Sequence, residues 1–156
     1  MSDDRIFLKR AIEIAGEGIV KGNGPFGAVI VRDNKIIAEA QNSVILSHDP
    51  TAHAEISVIR KTAAILETHD LSDCVLYSSC EPCPMCLGAI YWSGIKKIVY
   101  ASCRSDAENA GFRDSIIYDE MNLDPADRRL EFIRLTGMGE EKVFERWKEY
   151  ESKISY

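Results

Sequence analysis

His53-Ala54-Glu55 and, further along, Cys80-Glu81-Pro82-Cys83-Pro84-Met85-Cys86 decide how this chain of 156 residues is read. The first stretch follows Asp49-Pro50-Thr51 and leads into an apolar-periodic run through Ala52 to about Leu66. Proline fixes an extended entry there, and Thr51 or Asp49 can cap the free N–H groups of a helix, so His53 is expected in the first turn. The second stretch follows Cys74-Val75-Leu76-Tyr77-Ser78, which reads as a strand. Pro82 and Pro84 flank Cys83 at the start of a helix that continues through Leu87, Ile90, Tyr91 and Trp92. An imidazole and two thiols are thus expected at helix N-termini, where the positive end of the dipole favours thiolate over thiol. A spacing of three residues puts Cys83 and Cys86 on one helical face, within reach of one ion.

Working outward, Phe7, Leu8, Ala11, Ile12, Ala15 and Ile19 recur at helical spacing, so residues near 5–21 read as an amphipathic helix. Lys21-Gly22-Asn23-Gly24-Pro25 is a break. Gly27-Ala28-Val29-Ile30-Val31 and Lys35-Ile36-Ile37-Ala38-Glu39 read as strands joined at Asp33-Asn34, which predicts an N-terminal hairpin. Ile98-Val99-Tyr100-Ala101 is a fourth strand, and Leu130 to Leu135 is expected to be a fifth. Glu140 to Lys153 reads as a charged C-terminal helix with Val143, Phe144, Trp147 and Tyr150 on one side. The order predicts an α/β fold: a mixed five-stranded sheet between helices, a three-layer α/β/α sandwich forming a single domain over 1–156.

Composition points to a compact enzyme rather than a scaffold for polyanions. Hydrophobic residues make up 46% and charged residues 28%, the net charge is −6 and the sequence pI is about 5.1. A polynucleotide-binding protein usually carries a basic face, whereas this chain has only the local pairs Lys9-Arg10, Arg60-Lys61, Lys96-Lys97 and Arg128-Arg129. Nucleic acid is therefore not the expected partner. No apolar run approaches the roughly 18 residues of a membrane span. The start, Met1-Ser2-Asp3-Asp4-Arg5, is acidic and lacks the basic and apolar regions of a signal peptide. Five cysteines, three of them crowded between positions 80 and 86, suit metal binding in a reducing cytoplasm better than a disulfide framework.

The chemistry follows from the residue types. One imidazole and two thiolates supply three zinc ligands and leave a fourth tetrahedral position open for water, as in catalytic rather than structural zinc sites. Glu55, two residues from the imidazole, is poorly placed to ligate and well placed to move protons. The ligand set expected is His53, Cys83 and Cys86. Cys80 and Cys83 form a rival Cys-x-x-Cys pair, but Cys80 sits at the strand end, and Cys83/Cys86 straddles the helix start. A non-catalytic zinc module is the alternative from another class: Cys80 would close the metal as a fourth ligand, and Glu55 would have no use. Cys74 and Cys103 read as small core residues, and His48 and His69 as surface residues. Asn42, just past the second strand, offers a fixed amide to a substrate. Phe26, after Gly24-Pro25, offers a ring to stack on a base. The backbone N–H of Ala54 offers a donor at a helix N-terminus.

His-x-Glu followed by Pro-Cys-x-x-Cys is the signature of zinc-dependent base deaminases, and the chain resembles the cytidine deaminase superfamily through it. Within that superfamily it resembles the bacterial guanine deaminases. The resemblance runs through Gly24-Pro25-Phe26-Gly27-Ala28, Asn42, Asp49 to Glu55, Cys80 to Trp92, Ala110-Gly111-Phe112-Arg113-Asp114-Ser115 and the terminal Tyr156. It implies one zinc per chain and hydrolysis of guanine to xanthine and ammonia. Glu55 and Asp114 would be the catalytic residues. Phe26, Asn42, Ala54, Trp92, Asp114 and Tyr156 would be the substrate contacts. It further implies a homodimer that exchanges C-terminal segments. The chain departs from the pattern at Arg113, where an acidic neighbour of Asp114 is expected. The tRNA adenosine deaminases resemble the chain through Asp49 to Glu55 and the cysteine core, but they need a tRNA-binding surface, whereas the segment from Glu140 to Glu151 is acidic here. Cytosine deaminase is a more distant rival.

Overall fold

The computed structural model describes residues 4–156, so Met1, Ser2 and Asp3 of the acidic start lie outside the described residues. The chain divides into two compact units, one ending at Ser115 and one from Ile116 to Tyr156.

In the first unit, helix α1 (Asp4–Ile19) leads to strands β1 (Gly27–Arg32) and β2 (Lys35–Gln41). Next come a short helix α2 (Val44–Ser47), helix α3 (Ala54–Leu66), strand β3 (Val75–Cys80), helix α4 (Pro84–Trp92), strand β4 (Lys97–Ser102) and helix α5 (Arg104–Asn109). Helix α6 (Ser115–Met121) begins at the unit boundary. The sheet has the order β2-β1-β3-β4. β1 pairs antiparallel with β2 and with β3, and β3 pairs parallel with β4, so the sheet is mixed. Between β1 and β2, Asp33 and Asn34 take the left-handed conformation at φ 50° and 57°, which short polar side chains tolerate best after glycine.

Alternation along the central strands builds two cores. Ala28 and Ile30 of β1 and Leu76 of β3 face a cluster with Ala54 and Val58 of α3 and Ile90 of α4. Val29 and Val31 of β1 and Tyr77 of β3 face the opposite cluster, with Phe7, Ala11 and Ile14 of α1. Successive side chains on a strand point to opposite faces, so a continuous apolar run in β1 requires cover on both sides. Helices lie on both sides of the sheet accordingly.

Gly27 is where α1 comes down on the sheet. A Cβ there would lie 2.3 Å from the Ala11 carbonyl oxygen and 2.6 Å from the Ala15 nitrogen. Both are backbone atoms and cannot rotate away. Gly27→Ala is therefore expected to cost about 1–3 kcal/mol or more of folding stability, the range of overpacking, read as a lower urea midpoint. An unchanged midpoint would show that α1 can shift freely on β1.

Three expectations need correction. The sheet has four strands, not five: among the described residues, Leu130 to Leu135 form no ladder, and Leu130, Phe132, Ile133 and Leu135 are exposed. Alternating apolar residues satisfy the strand template, but a strand exists only where a neighbour accepts its hydrogen bonds. His53 is not in the first turn of α3. It is the N-cap residue, with extended backbone, and Asp49 accepts from the backbone and hydroxyl of Thr51 instead of capping the helix. Cys103 is an exposed N-cap of α5 rather than a core residue, whereas Cys74 is buried as expected.

In the second unit, helix α7 (Glu140–Glu149) carries Val143, Phe144 and Trp147 exposed, with Tyr150 at its C-cap. Also in this unit, the Ile116–Met121 part of α6 borders an apolar groove of about 330 Å³ with Leu130, Phe132 and the Arg128 guanidinium, which lies 5.0 Å from the Phe132 ring centre.

Candidate metal and catalytic site

The site forms where α3 and α4 begin. His53 and Cys83 are the N-cap residues of these helices, both in extended backbone, and Cys86 lies in the first turn of α4. Pro84 takes the first helical position, where its missing N–H costs nothing. These starts converge because α3 and α4 pack on the same face of the sheet through Ala54, Val58 and Ile90.

His53 Nδ1 lies 3.5 Å from Cys83 Sγ and 3.6 Å from Cys86 Sγ. The three ligand atoms all fall within 4.8 Å of one another. A tetrahedral zinc with Zn–S of about 2.3 Å and Zn–N of about 2.0–2.1 Å separates nitrogen from sulfur by roughly 3.5–3.6 Å. The donor set and its spacing therefore fit zinc bound through Nδ1. Cys80 stays outside this group. It is buried, its Sγ faces the Cys103 carbonyl at 3.7 Å, and burial pushes its thiol up to about 11. His48 and His69 are exposed and also stand apart.

Protonation follows the same geometry. The Cys86 thiol, and then His53, hydrogen-bond the Cys83 sulfur and hold its pKa well below the usual thiol range. Cys86 is pushed upward by that same pairing and by burial. His53 is raised chiefly by its bond to Cys83.

Glu55 is 5% exposed, in the first turn of α3. Ser78 Oγ donates to its Oε1 at 3.1 Å, and Cys86 Sγ donates to its Oε2 at 3.5 Å. Burial raises its pKa above that of an ordinary glutamate, and the Ser78 bond offsets part of the rise. A buried carboxyl held at two oxygens beside the ligands can take and return protons without exchanging them with bulk water. Ser78 was missed at the level of sequence. Its signal was there: a lone hydroxyl in step with Leu76 on the inner face of β3.

The loop after α1 and the end of β2 hold Phe26 and Asn42 together. Asn42 is buried, and its Oδ1 accepts from Val44 N at 3.2 Å, which fixes the amide plane. Its backbone N donates to Phe26 O at 2.8 Å. Gly24 leaves room for both, since a Cβ there would meet the Phe26 ring at 3.3 Å and the Asn42 carboxamide at 3.5 Å. Ala54 is buried at the first helical position of α3, where the N–H has no intrahelical acceptor. Asp114 is half-buried and electrostatically coupled to His53 and Cys83. Desolvation, then Cys83, raise its pKa, and Arg104 opposes them. Asp114 borders a cleft of about 380 Å³ with Glu81, Arg104 and Glu108. Trp92 lies exposed at the far end of α4 from Cys83, and Tyr156 ends the second unit.

Comparison with known proteins places these features in context. Residues 1–102 match the family model described as the cytidine and deoxycytidylate deaminase zinc-binding region. The chain is 50% identical to guanine deaminase of Bacillus subtilis over 96% of its own length and 97% of that protein. A crystal structure of the B. subtilis guanine deaminase superposes with a TM-score of 0.95 at 50% identity, covering 97% of this chain and 98% of that one. A tRNA-specific adenosine deaminase of Buchnera aphidicola is 46% identical, but over 64% of this chain and 61% of that protein.

Proposed function

The chain belongs to the cytidine and deoxycytidylate deaminase family, and from that premise we propose that it deaminates guanine to xanthine, releasing ammonia with water as co-substrate. One observation favours guanine over an adenosine in tRNA. The likeness to guanine deaminase runs through both compact units, whereas the tRNA enzyme matches less than two thirds of the chain. The net charge of −6 supports the same choice.

Zinc, when held by His53, Cys83 and Cys86, would supply a water acidic enough to ionise near neutral pH. Glu55 takes a proton from the attacking water as its oxygen bonds to C2, the carbon that carries the exocyclic amine. It passes the proton to the neighbouring ring nitrogen. It then moves the hydroxyl proton to the amine, which leaves as ammonia while the C2 carbonyl forms. Asp114 assists at the exocyclic amine. Asn42 and the Ala54 N–H hold the purine in the plane of attack, and Phe26 stacks against it. Free cysteines suit a reducing cytoplasm, and the reaction is a step of purine breakdown or salvage.

The exposed Phe144, Trp147 and Tyr150 support a further part of this reading. The molecule works as a single deaminase domain in a homodimer that exchanges C-terminal segments. Trp92 and Tyr156 then reach the purine in the assembled pocket. A chain ending at Tyr150 is expected to keep zinc and lose guanine turnover by about 10²-fold, the scale of a misplaced substrate. Mixing it with Glu55→Ala subunits should restore part of the activity, since one pocket would combine an intact Glu55 with a donated tail. Full activity of the shortened chain as a monomer in sedimentation would sink the exchange.

The assignment itself is tested by ammonia release from guanine, adenine, cytosine, cytidine and tRNA. Xanthine from guanine should be the fastest product. Faster formation of inosine in tRNA would give the chain to the tRNA enzymes.

A further inference from the structure

Phe112 belongs to neither core cluster and is 41% exposed, yet its ring packs edge-to-face on Phe26, with centroids 4.8 Å apart and planes at 83°. Its position is set from one side by the end of α5. Phe112 N donates to Ala107 O at 3.0 Å, Gly111 N donates to Glu108 O at 2.9 Å, and Gly111 takes φ +97°. That is a Schellman cap, which needs glycine at the left-handed position and reverses the chain direction. Two residues later the chain delivers Asp114 to within electrostatic reach of His53 and Cys83.

On the other side, Phe26 is fastened to the purine-binding loop. Its N–H donates to Gly24 O at 2.9 Å and its carbonyl accepts from Asn42 N at 2.8 Å. A Cβ on Gly24 would meet both the Phe26 ring, at 3.3 Å, and the Asn42 carboxamide, at 3.5 Å. The Asp114 segment and the Phe26–Asn42 segment are thus distant in sequence and joined by one ring contact.

We propose that Phe112 is a positioning residue of the substrate site, whose ring fixes the plane of Phe26 against the purine and, through the same contact, the approach of Asp114 to the exocyclic amine. This rests on the deaminase reading above.

A double-mutant cycle tests it. Phe112→Ala is expected to lower kcat/KM by about 10²-fold, the cost of displacing a bound substrate by about 1 Å. Zinc content and thermal midpoint should stay at the wild-type level, because the side chain is outside both cores. Phe112→Tyr keeps the ring edge and should recover the larger part of the loss. Phe26→Ala should also lower kcat/KM, and the double variant should lose no more than the worse single variant, since either substitution breaks the same contact. Losses that multiply in the double variant would overturn the proposal. So would a Phe112→Ala enzyme within twofold of wild type, or a fall in zinc content matching the fall in activity. The cycle is read on whichever free base the wild-type protein turns over fastest, so an error in the substrate assignment does not carry into it.

Discussion

Glu55→Gln is expected to keep zinc, keep the fold and lose about 10²–10⁴-fold in kcat, the contribution of a positioned acid/base group. Glutamine has nearly the volume of glutamate, and its amide can still meet Ser78 Oγ, which now donates to Oε1 at 3.1 Å. What disappears is the ability to carry a proton between the water, the ring nitrogen and the leaving amine. Zinc analysis separates this from loss of the metal. A zinc-loaded Glu55→Gln protein with near-normal turnover would remove Glu55 from the mechanism.

The same substitution should raise the stability of the metal-free protein at pH 7. Burial raises the folded-state pKa of Glu55 above its unfolded value, so the folded state binds the proton more tightly. The stability associated with that proton is present at low pH and is lost as pH rises above the unfolded pKa, until the folded group also ionises. At neutral pH the carboxyl therefore weighs against folding, and Gln removes the weight. The expected result is a thermal midpoint of metal-free Glu55→Gln at or above that of metal-free wild type at pH 7, with the difference shrinking toward pH 4. Activity lost and stability gained at one residue is the mark of a group held for chemistry.

The ligands and Glu55 were legible in the sequence because their relations are local. His53 and Glu55 are two residues apart and Cys83 and Cys86 three, so helix geometry fixes each pair before any tertiary contact forms. What brings the pairs together is not local, yet the apolar pattern of β1 and β3 already required helices on both faces. Ser78 was harder to find, since its meaning depends on a carboxylate from another element. Phe112 was less visible still. A phenylalanine after glycine reads as a cap hydrophobe, and nothing in its neighbours announces Phe26. Leu130 to Leu135 misled for the complementary reason. Alternation describes a chain able to pair, and a strand also needs a neighbouring strand that accepts its hydrogen bonds. The shift of His53 from the first turn to the N-cap is a one-residue difference with a chemical consequence. An N-cap residue has extended backbone, so its side chain leaves the helix axis and faces the start of α4.

Cys83→Ala is expected to abolish stoichiometric zinc binding and guanine turnover together, whereas Cys80→Ser should keep both. The sulfur of Cys83 is one of three ligand atoms gathered around Nδ1 of His53, and two remaining ligands from separate helices cannot hold a tetrahedral ion with an open position. Cys80, buried but turned toward the Cys103 carbonyl, offers no replacement. Its change to Ser removes a weak contact outside the ligand set. The expected cost is no more than the about 10–100-fold in metal affinity seen when groups around ligands are altered, which leaves zinc bound at micromolar protein. Removing the metal from wild type with a chelator should reproduce the Cys83→Ala loss of turnover, and zinc should restore it in wild type alone. Rebinding should weaken as pH falls, because the ligands must shed protons to bind: Cys86 is held protonated by its pairing with Cys83, and His53 is raised by its own bond to Cys83. Elemental analysis of the two variants decides the ligand set. Zinc kept by Cys83→Ala and lost from Cys80→Ser would move the metal to the other Cys-x-x-Cys pair, leave Glu55 without a metal-activated water beside it, and with that remove the catalytic reading of the site.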